Sequence, residues 1–473
     1  MSRLWLAIPF VLLYVSELGS AGFLGPDEPR YASIGREMAR SGDWVTPRLN
    51  GSPWFEKPPL LYWTTASAIR LGFRDEWAAR LPVALISLGF LAFFYSTLRR
   101  EFSPNLALTA TAILAGSAGW LAASFAAIPD LPMSAALGAA MLIALFDKRR
   151  ASGWLAGAFL GIAILAKGFV PAALFVPVWL VARGKRLAIP AAAVSIAAPW
   201  YLLCLWRNGA AFWNDFFWKQ HVARLFSAEA LQHGQPFWYY VPILLVGLFP
   251  WTPLAAALAQ RKLYEDSRVR FLAIWLCIGF AFFSMVPNKL PFYILPLLPA
   301  LAIVLAAALE KAGGFEWWLA ACVLAMTLLP TITNVLPEAF LMGATKVHWR
   351  FNPAGLIVAA VAAGVWWIAW RGFRERAILA AALVAALGAG YLKLAALPLL
   401  DRRDSVRSFW QLHHEEMADA CIDSATVSRA FQYGLDYYAG RDVPDCARAG
   451  ASGPRIRVRD GALLIEPGGT RTY

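Results

Sequence analysis

Residues 106–146 read LALTATAILAGSAGWLAASFAAIPDLPMSAALGAAMLIALF, and Asp130 is the one charged side chain in the run. A hydrocarbon core of about 30 Å takes roughly 20 apolar residues per helix, so the run reads as two membrane-spanning helices. They lie near 104–125 and 128–146 and turn over at Pro129-Asp130. Working outward, further apolar stretches fall near 3–20, 77–98, 152–167, 169–182, 187–206, 237–259, 270–286, 290–309, 315–334, 354–370 and 377–397, thirteen in all. The fold class is therefore an all-α polytopic membrane protein. Composition agrees: of 473 residues 59% are hydrophobic and 15% charged, far from a soluble balance. The 22 Trp and 14 Tyr suit aromatic belts at both faces. Leu4 to Leu18 is followed by no clear small-x-small cleavage site, and reads as a retained first helix.

The net charge of +13 does not point to nucleic acid, because its residues fall in short clusters between apolar stretches. Alternate connections carry Arg99-Arg100, Lys148 to Arg150, Arg183/Lys185/Arg186, Arg261/Lys262/Arg268/Arg270, Lys311 and Arg371/Arg374/Arg376. By the positive-inside rule these loops and the N-terminus face the cytoplasm. Segments 21–75, 207–236 and 335–352, with the tail from 399 to 473, then face the periplasm. The chain divides into a membrane unit, 1–398, with its periplasmic loops 21–75 and 207–236, and a small C-terminal unit, 399–473. In the first loop Glu28–Ser41 and Pro58–Leu71 read as amphipathic helices lying in the interface. The tail turns polar at Asp401, with a helical stretch from Ser405 to Ala420 and strand-like runs at 456–458 and 463–465, enough for a small α/β cap. Of five Cys, Cys421 and Cys446 lie in that tail, where an oxidising compartment permits them to pair.

The charges outside the basic loops gather on the periplasmic side: Asp27, Glu28, Arg30, Glu56, Lys57, Asp130, Lys167, His221, Arg224 and Lys289. Charge at membrane depth is costly unless paired, so their convergence from separate segments marks a functional site, although each alone reads as an ordinary loop charge. Asp27 and Asp130 each follow a proline at a helix start, where a carboxylate serves as an N-cap or as a general base. Lys57, Lys167, Arg224 and Lys289 could surround a phosphate, or snorkel to headgroups. His221 could ligate a metal, or simply be hydrogen-bonded.

The blocks Asp27-Glu28-Pro29-Arg30-Tyr31, Arg36-Glu37-Met38, Gly42-Asp43-Trp44 and Phe55-Glu56-Lys57-Pro58 closely resemble those of the lipid A aminoarabinose transferases of the GT-C superfamily, relatives of the protein O-mannosyltransferases. The similarity continues through Asp130-Leu131-Pro132, Lys167-Gly168-Phe169, Phe216-Phe217-Trp218 to His221, Pro236 to Pro242, Lys289-Leu290-Pro291 and Tyr293-Ile294-Leu295, spanning roughly 20 to 300. The resemblance implies a GT-C fold and a bacterial inner-membrane enzyme taking a sugar from undecaprenyl phosphate. It implies a periplasmic acceptor such as lipid A, Asp27 as catalytic carboxylate and Asp130 as a second needed one. It places the carrier phosphate against Arg30, Lys57, Arg224 and Lys289. Glu56 and His221 match positions that can hold a divalent cation; no nucleotide or organic cofactor is implied, and the chain reads as a monomer. The departure from the family is a shorter tail. A transporter would show internal repeats and mid-membrane charges, and a scaffold would need no converging acids and bases; neither pattern is present in the sequence.

Overall fold

The computed structural model describes residues 8–223, 234–342, 346–417, 419–449, 453–459 and 462–466. Helix α1 (Ile8–Val15) leads into a loop that holds α2 (Asp27–Ser41), a two-stranded hairpin of β1 (Arg48–Leu49) and β2 (Ser52–Pro53), and α3 (Leu60–Arg70). The bundle then runs through α4 (Asp75–Glu101), α5 (Pro104–Gly116), α6 (Ala118–Phe125), α7 (Asp130–Phe146), α8 (Ser152–Lys167), α9 (Val170–Val181) and α10 (Ala188–Phe212). Among the described residues seven helices are long and apolar enough to cross a membrane, or nine if two bent pairs each count as one span. Helices α7, α8 and α9 are apolar but shorter. Each of the thirteen expected stretches meets one of these elements or α1, but bends and short helices keep the count by length lower. One bend lies at Ser117, whose extended backbone (φ −71, ψ 130) breaks the stretch expected at 104–125 into α5 and α6.

Burial sorts the helices into inner and outer ones. Pro291–Lys311 is 89% buried across its apolar window, whereas Pro353–Trp370 is 22% buried. All residues of α7 except Leu145 are buried, so this helix runs through the bundle interior. Large apolar side chains left on the outside, such as Leu85, Leu180, Leu202, Ile274 and Trp367, would meet lipid tails, which is where a membrane protein puts them. Lipid offers no hydrophobic drive for helix association, so contacts depend on close approach of small residues. Helix α8 meets α10 that way: a Cβ added at Gly157 would sit 2.2 Å from the Ile189 carbonyl oxygen, and one at Gly161 would sit 2.8 Å from that of Ala193. The loops carrying the basic clusters touch one another. Lys311 donates to the Lys262 carbonyl at 2.7 Å, Ser103 to Glu310 at 2.9 Å, and Lys185 to the carbonyl of Asp147.

The two expected loop helices form, at Asp27–Ser41 and Leu60–Arg70, and α2 ends on Gly42 in the left-handed conformation (φ 73). In the tail, the helix Arg374–Asp404 continues through residue 398. The helix expected over 405–420 is confined to Arg407–His413, because His413-His414-Glu415-Glu416 offers no apolar face to bury. The strand-like runs become β4 (Arg455–Arg459) and β5 (Ala462–Glu466), which pair antiparallel. A short parallel strand, β3 (Cys421–Ile422), completes the sheet in the order β3-β4-β5. With the tail helix Arg429–Ala439 the sheet encloses its own small core around Ile422, Phe431, Leu435 and Ile456. Cys421 and Cys446 form a disulfide, their Cα atoms 4.9 Å apart.

Candidate active site

Gly25 takes a left-handed backbone (φ 67) that turns the chain into α2, a conformation glycine adopts without strain. Pro26 occupies the cap position, so the capping alternative for Asp27 is not realised; Asp27 is the first residue of the helix itself. Residues three apart on a helix are neighbours, and Arg30 Nη2 lies 2.5 Å from Asp27 Oδ1. The same guanidinium reaches Glu56 Oε2 at 3.1 Å, and Lys57 Nζ lies 3.4 Å from the other Glu56 oxygen. Among the described residues three aromatic rings face Arg30: Tyr31 at 5.1 Å, Trp54 at 5.7 Å and Tyr433 at 5.4 Å to their centroids. Asp27 is the open end of this group, its side chain 39% exposed against 11% for Glu56. Burial pushes the Asp27 carboxyl above the usual carboxylate range, with Arg30 and Lys57 pulling it back. Burial works against the Arg30 charge, but the surrounding negative groups, Glu56 and Asp27 among them, leave it more firmly protonated than usual.

A second carboxylate stands beside the first. Asp130 opens α7 as Asp27 opens α2, with Pro129 in the cap position, and it lies within electrostatic range of Asp27. Lys167, the last residue of α8, makes an ion pair with it and sits 4.1 Å over the Tyr293 ring. Both side chains are buried, so the expected phosphate ligand Lys167 is already committed to Asp130.

Glu28, the next residue after Asp27, belongs to a different assembly. Its carboxylate accepts from Arg80 Nε at 2.9 Å and Nη2 at 2.7 Å, and from the backbone N–H groups of Ala127 at 2.7 Å and Leu24 at 3.0 Å. Arg80 donates its remaining N–H groups to the carbonyls of Leu18, Ala21 and Gly22. This bidentate pair rivets the start of α2 to α4 and to the chain entering α7. It thus fixes Asp27 and Asp130 relative to each other.

The other expected residues divide. Lys289 is buried and donates to the Gln235 carbonyl at 3.0 Å; among the described residues no charge ties it to the Asp27 group. Arg224 and the side chain of His221 lie outside the described residues. Glu56 carries two cations, Arg30 and Lys57, and among the described residues no three His, Cys, Asp or Glu side chains gather as a metal site. Three buried donors near Arg30 have no hydrogen-bond partner among the described residues: Arg30 Nε, Trp54 Nε1 and the Tyr62 hydroxyl. Tyr62 stands close enough to Glu56, Arg30 and Asp27 to feel their charges. Sequence reasoning missed Arg80, Tyr62, Tyr293 and Tyr433. Arg80 has a readable signal, an arginine inside an apolar span, and Tyr293 stands in a block that carries the family resemblance though no role is read from it; Tyr62 and Tyr433 have none.

Residues 1–187 match the family model described as dolichyl-phosphate-mannose-protein mannosyltransferase. The chain is 33% identical over 325 residues to an undecaprenyl phosphate-alpha-4-amino-4-deoxy-L-arabinose arabinosyl transferase of Proteus mirabilis, covering 64% of this chain and 58% of that one. It is 36% identical over 324 residues to the corresponding protein of Pectobacterium carotovorum, covering 63% and 57%. The chain thus spans under three fifths of the length of these relatives. The fold of ArnT from Cupriavidus metallidurans, solved with undecaprenyl phosphate bound, superposes with a TM-score of 0.74 over 98% of this chain and 97% of that one, at 24% identity. The oligosaccharyltransferase of Archaeoglobus fulgidus superposes at 0.50 with 12% identity, covering 95% and 66%. The GT-C fold implied by the motifs is the fold observed, and in sequence as in fold this chain is similar to the undecaprenyl phosphate aminoarabinose arabinosyl transferases.

Proposed function

We propose that this chain is an inner-membrane glycosyltransferase that moves a sugar from undecaprenyl phosphate to a periplasmic acceptor, with 4-amino-4-deoxy-L-arabinose and lipid A as the pair its relatives' names suggest. The observation that carries the reading is the Asp27-Arg30-Glu56-Lys57 group, a partly open carboxylate backed by two fixed cations. Transfer breaks the bond between the sugar's anomeric carbon and a phosphate oxygen, and forms one from that carbon to the acceptor oxygen. Negative charge grows on the departing phosphate, and preorganised cations where water is scarce stabilise it. Lys57 and Arg30 hold that place. The partnerless donors Arg30 Nε, Trp54 Nε1 and Tyr62 hydroxyl suit the oxygens of a phosphate or sugar, since buried donors otherwise lose their hydrogen bonds. A hydroxyl acceptor would lose its proton to Asp27; an ionised lipid phosphate would be oriented by it instead.

The touching basic loops support a cytoplasmic face opposite the site, and with it a cytoplasmic N-terminus and a periplasmic tail. The side chain of His221, which would share a divalent cation with Glu56, lies outside the described residues. The mannosyltransferase family model favours a second reading, the same chemistry directed at a glycan or protein acceptor. Binding tests the donor directly. Undecaprenyl phosphate should raise the melting temperature of the purified protein by mass action, and a nucleotide sugar should not. Stabilisation by the nucleotide sugar alone would overturn the donor assignment.

A further inference from the structure

We infer that the C-terminal unit completes this site: Tyr433, on the tail helix Arg429–Ala439, is a positioning residue that holds Arg30 for the phosphate of the polyprenyl donor. The inference rests on the function proposed above and deepens it. Two of the three rings around Arg30, Tyr31 and Trp54, come from the same loop as Arg30 itself. Tyr433 arrives from the far end of the chain, its ring centroid 5.4 Å from the guanidinium carbon.

The tail helix is seated firmly enough to present that ring. Tyr437, one turn beyond Tyr433, lies under the Arg36 guanidinium at 4.0 Å, packs edge-on against Phe23 at 4.7 Å, and bonds Asp75 through its hydroxyl at 3.2 Å. The Tyr438 hydroxyl donates to Glu76 and accepts from the Phe23 N–H at 3.3 Å. Ser428 caps the start of the helix, Gly440 ends it in the left-handed conformation, and the Cys421–Cys446 disulfide closes the segment that carries it. The contacts of Tyr437 and Tyr438 are all made to the loop 21–75 or the start of α4, the elements that also build the site.

The ring suits its task because of what else pulls on Arg30. Asp27 and Glu56 both draw the guanidinium, and a third carboxylate would use up the donors that a phosphate needs. An aromatic face attracts the cation without consuming an N–H. It leaves Nε, buried and without a partner among the described residues, for a phosphate oxygen. The tail therefore contributes to donor affinity.

The test uses the full chain reconstituted in lipid nanodiscs, with undecaprenyl phosphate titrated for Kd and the polyprenyl-phosphate sugar varied for KM and kcat. Tyr433→Phe keeps the ring and should stay within about twofold of wild type. Tyr433→Leu keeps apolar bulk but loses the ring face, and should raise Kd and KM by about 3- to 30-fold with kcat little changed, the range a cation–π contact spans. Leu binding as tightly as Tyr, or Phe as weak as Leu, overturns the inference. Should Tyr433→Leu fold poorly, fluorinated phenylalanines at 433 decide it: affinity falling stepwise with each fluorine supports the ring's role, and flat affinity overturns it. Wild-type protein that binds no undecaprenyl phosphate overturns the function proposed above together with this inference. Tight wild-type binding with no dependence on the ring overturns this inference alone.

Discussion

Asp27→Asn is expected to lower sugar transfer by about 10² to 10⁴-fold, the usual cost of losing a general base, while the protein keeps its melting temperature. The variant isolates charge from shape. Asparagine retains the size of the side chain and an oxygen that can accept from Arg30, and no cap is lost, since Pro26 holds the cap position. What vanishes is the capacity to take a proton. Turnover should also fall on the acid side at a higher pH than an ordinary carboxylate would give, because burial raises the Asp27 pKa and protonation then removes the base sooner. Near-normal turnover in Asp27→Asn would show that the carboxylate is dispensable and move attention to Asp130. A folded, inactive variant supports the site; the melt measured beside the assay separates this from simple unfolding.

Arg80→Leu should cost the fold more than any change within the reactive group. It strands the Glu28 carboxylate in the interior with two backbone N–H groups and no cation, and frees the carbonyls of Leu18, Ala21 and Gly22. Removing one partner of a buried pair typically costs about 3 to 5 kcal/mol, a large part of a domain's stability. Arg80→Lys should recover little, because an ammonium cannot reproduce the planar fork that meets both Glu28 oxygens. Glu28→Gln combined with Arg80→Leu should be milder than Arg80→Leu alone, since the stranded charge is gone. Thermal melts of the three variants in detergent check this order, and an Arg80→Leu protein as stable as wild type would refute the rivet.

The sequence made the spans, the two loop helices and the reactive group legible for physical reasons that differ. Long apolar runs state their own length requirement, so α4 and Arg374–Asp404 were plain. Bends are not, because Ser117 breaks its run through backbone conformation, and a Gly116-Ser117 step, though a known place for a kink, leaves the apolar run unbroken. The Asp27, Arg30, Glu56 and Lys57 set stands out only through convergence, since each alone reads as an ordinary charge of the loop 21–75, and the structure brings these four together. It brings Asp130 and Lys167 together too, but as a buried pair rather than as separate ligands. Glu28 reads in the sequence as one of the charges gathered on the periplasmic side, yet consecutive residues on a helix point about 100° apart, and it faces Arg80 instead. Tyr433 was invisible, because nothing local in a polar tail tells which partner its helix will meet.

The central claim, transfer from a polyprenyl phosphate at the Asp27 group, is tested most directly by one measurement: reconstituted wild-type protein supplied with a radiolabelled sugar on undecaprenyl phosphate and lipid A as acceptor. The account predicts label moving from carrier to acceptor with release of undecaprenyl phosphate, at a rate cut at least a hundredfold in Asp27→Asn. Label that stays on the carrier while a nucleotide sugar is consumed in its place, or transfer that proceeds equally without the Asp27 carboxylate, would contradict it.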